Sequence, residues 1–392
     1  MPQPADRLNN LPTYVFAAIG EQLRLMEAQG IDVIRLDIGS PDLPPPAHVV
    51  EELAHAAHHA DNHGYSGYRG LPRFRQAMAR YYQQRFNVTL DADKQILPLI
   101  GSKEGIVNLC LAYLDRGDIV LIPDVGYPSY MQGARLAGAE IYWVPVNAAG
   151  GYLPDFDKIP ADIARCAKLL WVNYPNNPTG AVADLAFYER ALQFCAEYDI
   201  LLASDNPYVE VTFDGYVAPS ALQVPGMTNH VIEFVSFSKS HNMAGWRLGA
   251  AVGSAQAVQT LLRVKSNIDS GHFNAIYEAG IAAIDLTPQS WIDNRNAVYQ
   301  RRRDQLLAAM SDMGLSANKP AGSLYIWARP NEMSGNAYVE QALNEAHVSL
   351  APGSAYGPGG DAYVRFSVGV SDERLDESIN RLKVWYSAKQ YA

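Results

Sequence analysis

Short apolar runs alternate with amphipathic, helix-period segments between about residue 96 and residue 255. The runs are QILPLIG (95–101), DIVLIP (118–123), EIYWVPV (140–146), KLLWVNY (168–174), ILLASD (200–205), VIEFVSF (231–237) and LGAAVG (248–253). They have the length and the continuous apolar character of strands buried on both faces. EGIVNLCLAYL and DLAFYERALQFCAEY, which lie between them, carry the helical period. The alternation predicts an α/β architecture, a mostly parallel seven-stranded sheet with helices on both faces.

From about residue 286 the pattern changes. A long charged helix, NAVYQRRRDQLLAAMSDMG, precedes the alternating strands GSLYIWARP, VSLAPG and YVRFSVGV and a terminal helix, DERLDESINRLKVWY. This grouping predicts a smaller α+β domain. The first forty residues hold a helix, VFAAIGEQLRLMEAQG, and a strand, VIRLDIG, outside the alternating block. The expected division is a large domain over 46–285, with 1–45 and 286–392 forming the small domain and an N-terminal arm.

Composition narrows the class. The 392 residues are 48% hydrophobic and 18% charged, as in a globular protein, with a formal net charge of −10. That sign argues against nucleic acid and anionic membrane surfaces as partners. The one compact basic run, Arg301–Asp304, reads as a solvated helix face. Cys110, Cys166 and Cys195 are odd in number and far apart, which gives neither a disulfide framework nor a metal ligand set. The nine histidines add no metal-binding spacing, so no metal is expected. No apolar run reaches the ~18 residues of a membrane span. The opening MPQPADRLNNLP resembles neither a signal peptide nor a transit sequence, and the expected location is the cytoplasm.

In open α/β sheets, ligands bind beyond the carboxyl ends of the strands. KLLWVNY runs into PNNPTG with Asn177. ILLASD ends in Asp205, three residues before Tyr208, and VIEFVSF runs into Ser238 and Lys239. QILPLIG leads through Gly101, Ser102 and Lys103 into a helix. Singly, each has a plain reading: a strand-end Asp caps a helix or serves a turn, and NPTG can be a simple turn. Together they set a carboxylate, an amide, a lysine and an anion-binding helix start along one sheet edge.

These groups suit pyridoxal phosphate. Its aldehyde needs one lysine amine, Lys239, with a pKa lowered by desolvation and neighbouring cations. Its pyridine nitrogen needs a fixed carboxylate, Asp205. Its ring oxygen needs neutral donors, Asn177 and Tyr208. Its phosphate needs a helix N-terminus, hydroxyls and an arginine: Ser102, Lys103, Ser236, Ser238 and Arg247. GSKEG lacks the frame of a nucleotide P-loop.

The segment Ser236–Gly249, SFSKSHNMAGWRLG, resembles the active-site signature of the class I/II aminotransferases, which are fold-type-I pyridoxal phosphate enzymes. The likeness runs from LDIGSPDLPPP to YVRFSVGV. GSKEGI, PDVGYPSY, YPNNPTG and NIDSGHFNAIYEAG look most like the LL-diaminopimelate aminotransferase subgroup. The resemblance implies that Lys239 holds the cofactor and moves the substrate proton, and that Tyr127 stacks on the cofactor ring. It further implies that Tyr65 reaches the phosphate of a neighbouring subunit, hence a homodimer with shared sites. Arg365, helped by the Gly39 backbone and Asn177, would bind the substrate α-carboxylate; without the resemblance, Arg365 reads equally as edge-strand surface. Tyr14, Phe16 and Tyr130 read as core packing or as pocket lining. The implied reaction passes an amino group from an amino acid to a 2-oxo acid, 2-oxoglutarate, by a ping-pong route. The same fold and cofactor also serve β-lyases. In one respect the chain departs from the subgroup: the loop after Tyr65, YSGYRGLP, offers Tyr68 and Arg69 but no carboxylate for a distal ammonium. Aspartate, alanine, aromatic or broad-specificity donors therefore stay open beside diaminopimelate.

Overall fold

The computed structural model describes residues 2–8, 11 and 15–390; Tyr14 lies outside the described residues. After a helix over Val15–Ala28 comes a short strand, β1 (Ile34–Arg35). All seven apolar runs become strands: β2 (Ile96–Leu99), β3 (Ile119–Pro123), β4 (Glu140–Val144), β5 (Ala167–Val172), β6 (Leu201–Asp205), β7 (Val231–Ser236) and β8 (Gly249–Gly253). They form one sheet in the order β2-β8-β7-β6-β5-β3-β4.

Only β8 opposes its neighbours. The cause lies in the connection from β7, which makes a four-residue helix (Phe237–Ser240) and one 3-10 turn and then returns directly to the sheet. Lacking a crossover helix, the chain has to come back antiparallel. Lys239 and Arg247, at the two ends of this connection, thus share one edge of the sheet.

Alternate side chains feed two cores. Val120, Ile122, Leu169, Trp171, Ile232 and Phe234 pack on one face, and Leu121, Leu170, Val172, Leu202 and Val235 on the other. Neither face meets water, which is why these strands read as unbroken apolar runs.

The C-terminal strands are β9 (Leu315–Ala317), β10 (Tyr325–Pro330), β11 (Val348–Ser349), β12 (Ala351–Pro352) and β13 (Val364–Ser367). Four of them form an antiparallel sheet, β12-β13-β10-β9, while β1 pairs in parallel with β11. Ile34 and Leu36 join the apolar cluster of Tyr325, Phe366 and Leu382, so the N-terminal segment shares a core with the C-terminal one.

The reading of Arg301–Asp304 as a solvated face is corrected. Within the helix Gln289–Ala309, Arg302 and Arg303 are buried. Arg302 pairs with Asp42 at 2.8 Å and with Asp372 at 2.6 Å, and Arg303 pairs with Asp214 at 2.6 Å. Guanidinium groups tolerate burial when carboxylates accept from them, and these partners lie far off in sequence. Arg365 is likewise no edge residue: β13 lies between β12 and β10, and Arg365 is 3% exposed. Among the described residues no helix is long and apolar enough to cross a membrane, and no three His, Cys, Asp or Glu side chains gather as a metal site.

Candidate active site

A cavity of 540 Å³ opens at the carboxyl ends of β5, β6 and β7, lined also by residues 37–40 and by Tyr325 and Arg365 of β10 and β13. It is lined by Ser102, Lys103, Tyr127, Asn177, Asp205, Tyr208, Ser236, Ser238, Lys239, Arg247, Gly39 and Arg365. Thus all the expected site residues but one converge. The exception, Tyr65, is 90% exposed and does not line this cavity.

Lys239 stands on the helical turn after β7, and its ammonium donates to the Gly39 carbonyl. Burial, together with the positive charges of Arg365 and Arg247, pulls its pKa down to about 7. Asp205 closes β6 and is 3% exposed; burial pushes its carboxyl up to about 7 against the opposing hydrogen bond from Tyr130. Tyr130 Oη donates to Asp205 Oδ2 at 2.6 Å, and its ring stacks on Trp171 with centroids 4.7 Å apart. Asp205 Oδ1 is buried with no protein partner.

The far wall is cationic. Ser102 starts the helix Ser102–Tyr113, whose first two residues, Ser102 and Lys103, line the cavity and bring the unpaired amides of a helix start to it. Burial and the neighbouring Arg247 charge hold the Lys103 ammonium below its ordinary range. Arg247 adopts left-handed backbone (φ 58°), and its carbonyl is held by His272 Nε2 at 2.7 Å. Gly101 has φ 74°, and a Cβ there would strike the Arg247 guanidinium. Two crowded cations beside a helix N-terminus make an anion site.

At the mouth, Arg365 donates to Asn177 Oδ1 at 2.9 Å and to the Asp37 carbonyl at 2.5 Å. Its guanidinium carbon lies 4.0 Å from the Tyr325 ring centroid, 5.1 Å from that of Tyr356 and 5.7 Å from that of Phe16. Arg365 Nε is buried without a partner.

Sequence reasoning overlooked several members. Asn173 donates to the Asp205 carbonyl at 2.6 Å and accepts from the Asn177 amide at 2.8 Å, tying two strand ends together. Tyr325 supports Arg365 and bonds the Tyr208 hydroxyl at 2.8 Å. Asn173, a second amide at the end of an apolar strand, carried the same signal as Asn177. Tyr325 carried none, because its place diagonal to Arg365 depends on the β10–β13 register.

The donor set fits pyridoxal phosphate: an orphaned buried carboxylate oxygen, an amine held near neutrality, and cations at a helix start.

Residues 31–382 match the family model "Aminotransferase class I and II". The LL-diaminopimelate aminotransferase of Moorella thermoacetica is 46% identical over 97% of this chain and 98% of its own length. Among solved structures, BacF of Bacillus subtilis superimposes with a TM-score of 0.94, at 35% identity and 98% coverage of both chains. A probable N-succinyldiaminopimelate aminotransferase of Thermus thermophilus reaches a TM-score of 0.88 at 37% identity, over 95% of this chain and 100% of that one. The chain therefore belongs to the class I and II aminotransferases, enzymes that transfer amino groups on a fold-type-I scaffold.

Proposed function

We propose that the protein moves an α-amino group from LL-diaminopimelate to 2-oxoglutarate by a ping-pong route, with pyridoxal phosphate held in the 540 Å³ cavity. The observation that carries this reading is that the Lys239 amine shares one cavity with the buried Asp205 carboxyl and the guanidinium groups of Arg247 and Arg365. When bound, the cofactor supplies the electron sink for chemistry at the substrate Cα. Lys239 Nζ takes the proton from Cα and returns it. Asp205 keeps a proton on the ring nitrogen, while Asn177 and Tyr208 donate to the ring oxygen. Ser102, Lys103, Ser236, Ser238 and Arg247 hold the phosphate, and Tyr127 covers the ring. Arg365 offers the α-carboxylate a planar fork that its aromatic neighbours hold still.

The protein acts as a homodimer, in which Tyr65 serves the partner subunit's site. Its 90% exposure, outside the lining of this chain's own cavity, supports that assignment. A second reading, with aspartate, alanine or aromatic donors, is favoured by the Tyr65–Arg69 loop, which lacks a carboxylate.

The test adds single donors to the cofactor-loaded protein without acceptor. Loss of the aldehyde-form absorbance with one 2-oxo acid released per site, reversed by 2-oxoglutarate, is expected. Ammonia and pyruvate without that reversal would instead identify a β-lyase. Lys239→Ala should abolish both the characteristic absorbance and the transfer.

A further inference from the structure

Arg295 lies in the second turn of the helix Gln289–Ala309 and is 3% exposed, yet no carboxylate pairs with it among the described residues. Its Nη1 donates to the Lys239 carbonyl at 3.1 Å and to the Ser240 carbonyl, and its Nη2 donates to the Glu210 carbonyl. A buried guanidinium without a counter-ion is costly unless acceptors surround it, and here they are backbone oxygens.

Those oxygens belong to two turns that carry the site. Lys239 and Ser240 end the four-residue helix after β7, and the last carbonyls of a helix have no helical amide to accept from. Glu210 lies two residues beyond Tyr208, in the turn after β6. Its carbonyl also accepts from Asn296 Nδ2 at 2.9 Å, and Asn296 Oδ1 takes Arg295 Nη2 at 2.9 Å. The Trp291 ring, one helical turn earlier, is centred 5.3 Å from the guanidinium carbon and steadies the fork from the side. Further along, Arg302 and Arg303 pin the same helix through Asp42 and Asp214.

We propose that Arg295 is a positioning residue for amino transfer: it fixes the backbone that aims Lys239 and registers it against the turn of Tyr208. Two rigid peptide planes meet at the Lys239 Cα, and the plane holding the Lys239 carbonyl is one of them. Pinning its oxygen limits the directions open to the side chain. Nζ has to reach two atoms in succession, the cofactor aldehyde carbon and the substrate Cα. An error of about 1 Å in such placement costs about 100-fold in rate. Arg295 does not line the cavity and so acts through the backbone alone. The inference rests on the reading of Lys239 as the amine that holds the cofactor.

The experiment follows pyridoxal phosphate attachment to cofactor-free protein by absorbance, in the parent, Arg295→Met and Arg295→Lys, with melting temperatures measured alongside. Arg295→Met keeps an apolar stem and removes every donor, and attachment per folded site should slow roughly 100-fold. Arg295→Lys keeps a compact ammonium without the fork, and the loss should shrink to about tenfold. In the loaded enzymes, kcat with the donor that the parent accepts should fall in the same order. Its KM should stay within about threefold, because Arg365 is untouched. A lowered melting temperature with attachment rate and kcat unchanged overturns the proposal and leaves Arg295 a tie between segments. Failure of both variants to fold overturns it in the same way. A parent that itself attaches no cofactor sinks the underlying reading instead.

Discussion

Tyr130 hydrogen-bonds one oxygen of Asp205 at 2.6 Å and leaves the other, equally buried, with nothing to accept from. The carboxyl is thereby fixed in rotation and aimed by a phenol that is itself locked against Trp171. In the free protein, burial favours the neutral acid and the phenol hydrogen bond favours the anion.

Tyr130→Phe keeps the stack and deletes the hydrogen bond. The Asp205 carboxyl should then rise further above about 7, and kcat should fall about tenfold, the worth of one buried hydrogen bond. Asp205→Ala removes the charge itself and should cost about 10²–10³ in kcat, the scale for a lost preorganised electrostatic partner. Steady-state rates of the two variants, with cofactor occupancy measured in parallel, check the order. Equal losses would mean that Tyr130 does more than aim Asp205.

The Lys239 amine, brought down to about 7 by burial and by Arg365 and Arg247, sets a pH dependence for cofactor attachment. Only the neutral amine attacks an aldehyde. The attachment rate to cofactor-free protein should climb as pH rises to about 7 and level off above it, whereas an ordinary lysine levels near ~10.4. Since the folded pKa lies below the unfolded one, the unfolded chain binds more protons between these values. This group's penalty on stability is therefore full below pH 7 and fades as pH rises through that window. Rapid-mixing absorbance across pH 5–10 would reveal a plateau near 10 if the amine is not shifted.

Much of this was legible in the chain. Seven strands could be read because a sheet covered on both faces needs unbroken apolar runs, and Asp205, Asn177 and Lys239 stood out as polar groups ending them. The fit of SFSKSHNMAGWRLG to a known signature added roles that spacing alone could not supply. Long-range pairing was not legible. Nothing local tells that Arg302 and Arg303 turn inward to Asp42, Asp372 and Asp214, or that Tyr325 lies under Arg365. The hydrogen bond from Tyr130 to Asp205 joins residues 75 apart in sequence, and so that tyrosine read as packing.

Gly101→Ala tests the cationic wall. The position has φ 74°, which costs a side chain about 1–2 kcal/mol, and the new methyl would press on the Arg247 guanidinium. The expected outcome is a tenfold or greater rise in the cofactor dissociation constant, followed by absorbance titration, with an unchanged circular dichroism spectrum. An unaltered constant would show that Arg247 can move without loss and does not hold the phosphate.

The proposed homodimer makes a separate demand on exposed residues. Tyr65, Tyr68, Ile268 and Phe273 are 90%, 56%, 58% and 39% exposed. They lie on two adjoining segments, joined where Asn274 donates to the Gly64 carbonyl at 3.3 Å. Large apolar side chains clustered this way mark an interaction surface rather than a solvated one. Ile268→Asp should place a charge in that surface and shift the protein, in analytical ultracentrifugation, from twice the mass of the chain toward the mass of one. Because Tyr65 would no longer reach a partner's phosphate, cofactor affinity should fall along with the dimer and recover at high protein concentration. A variant that becomes monomeric yet binds cofactor as tightly as the parent would separate Tyr65 from the site.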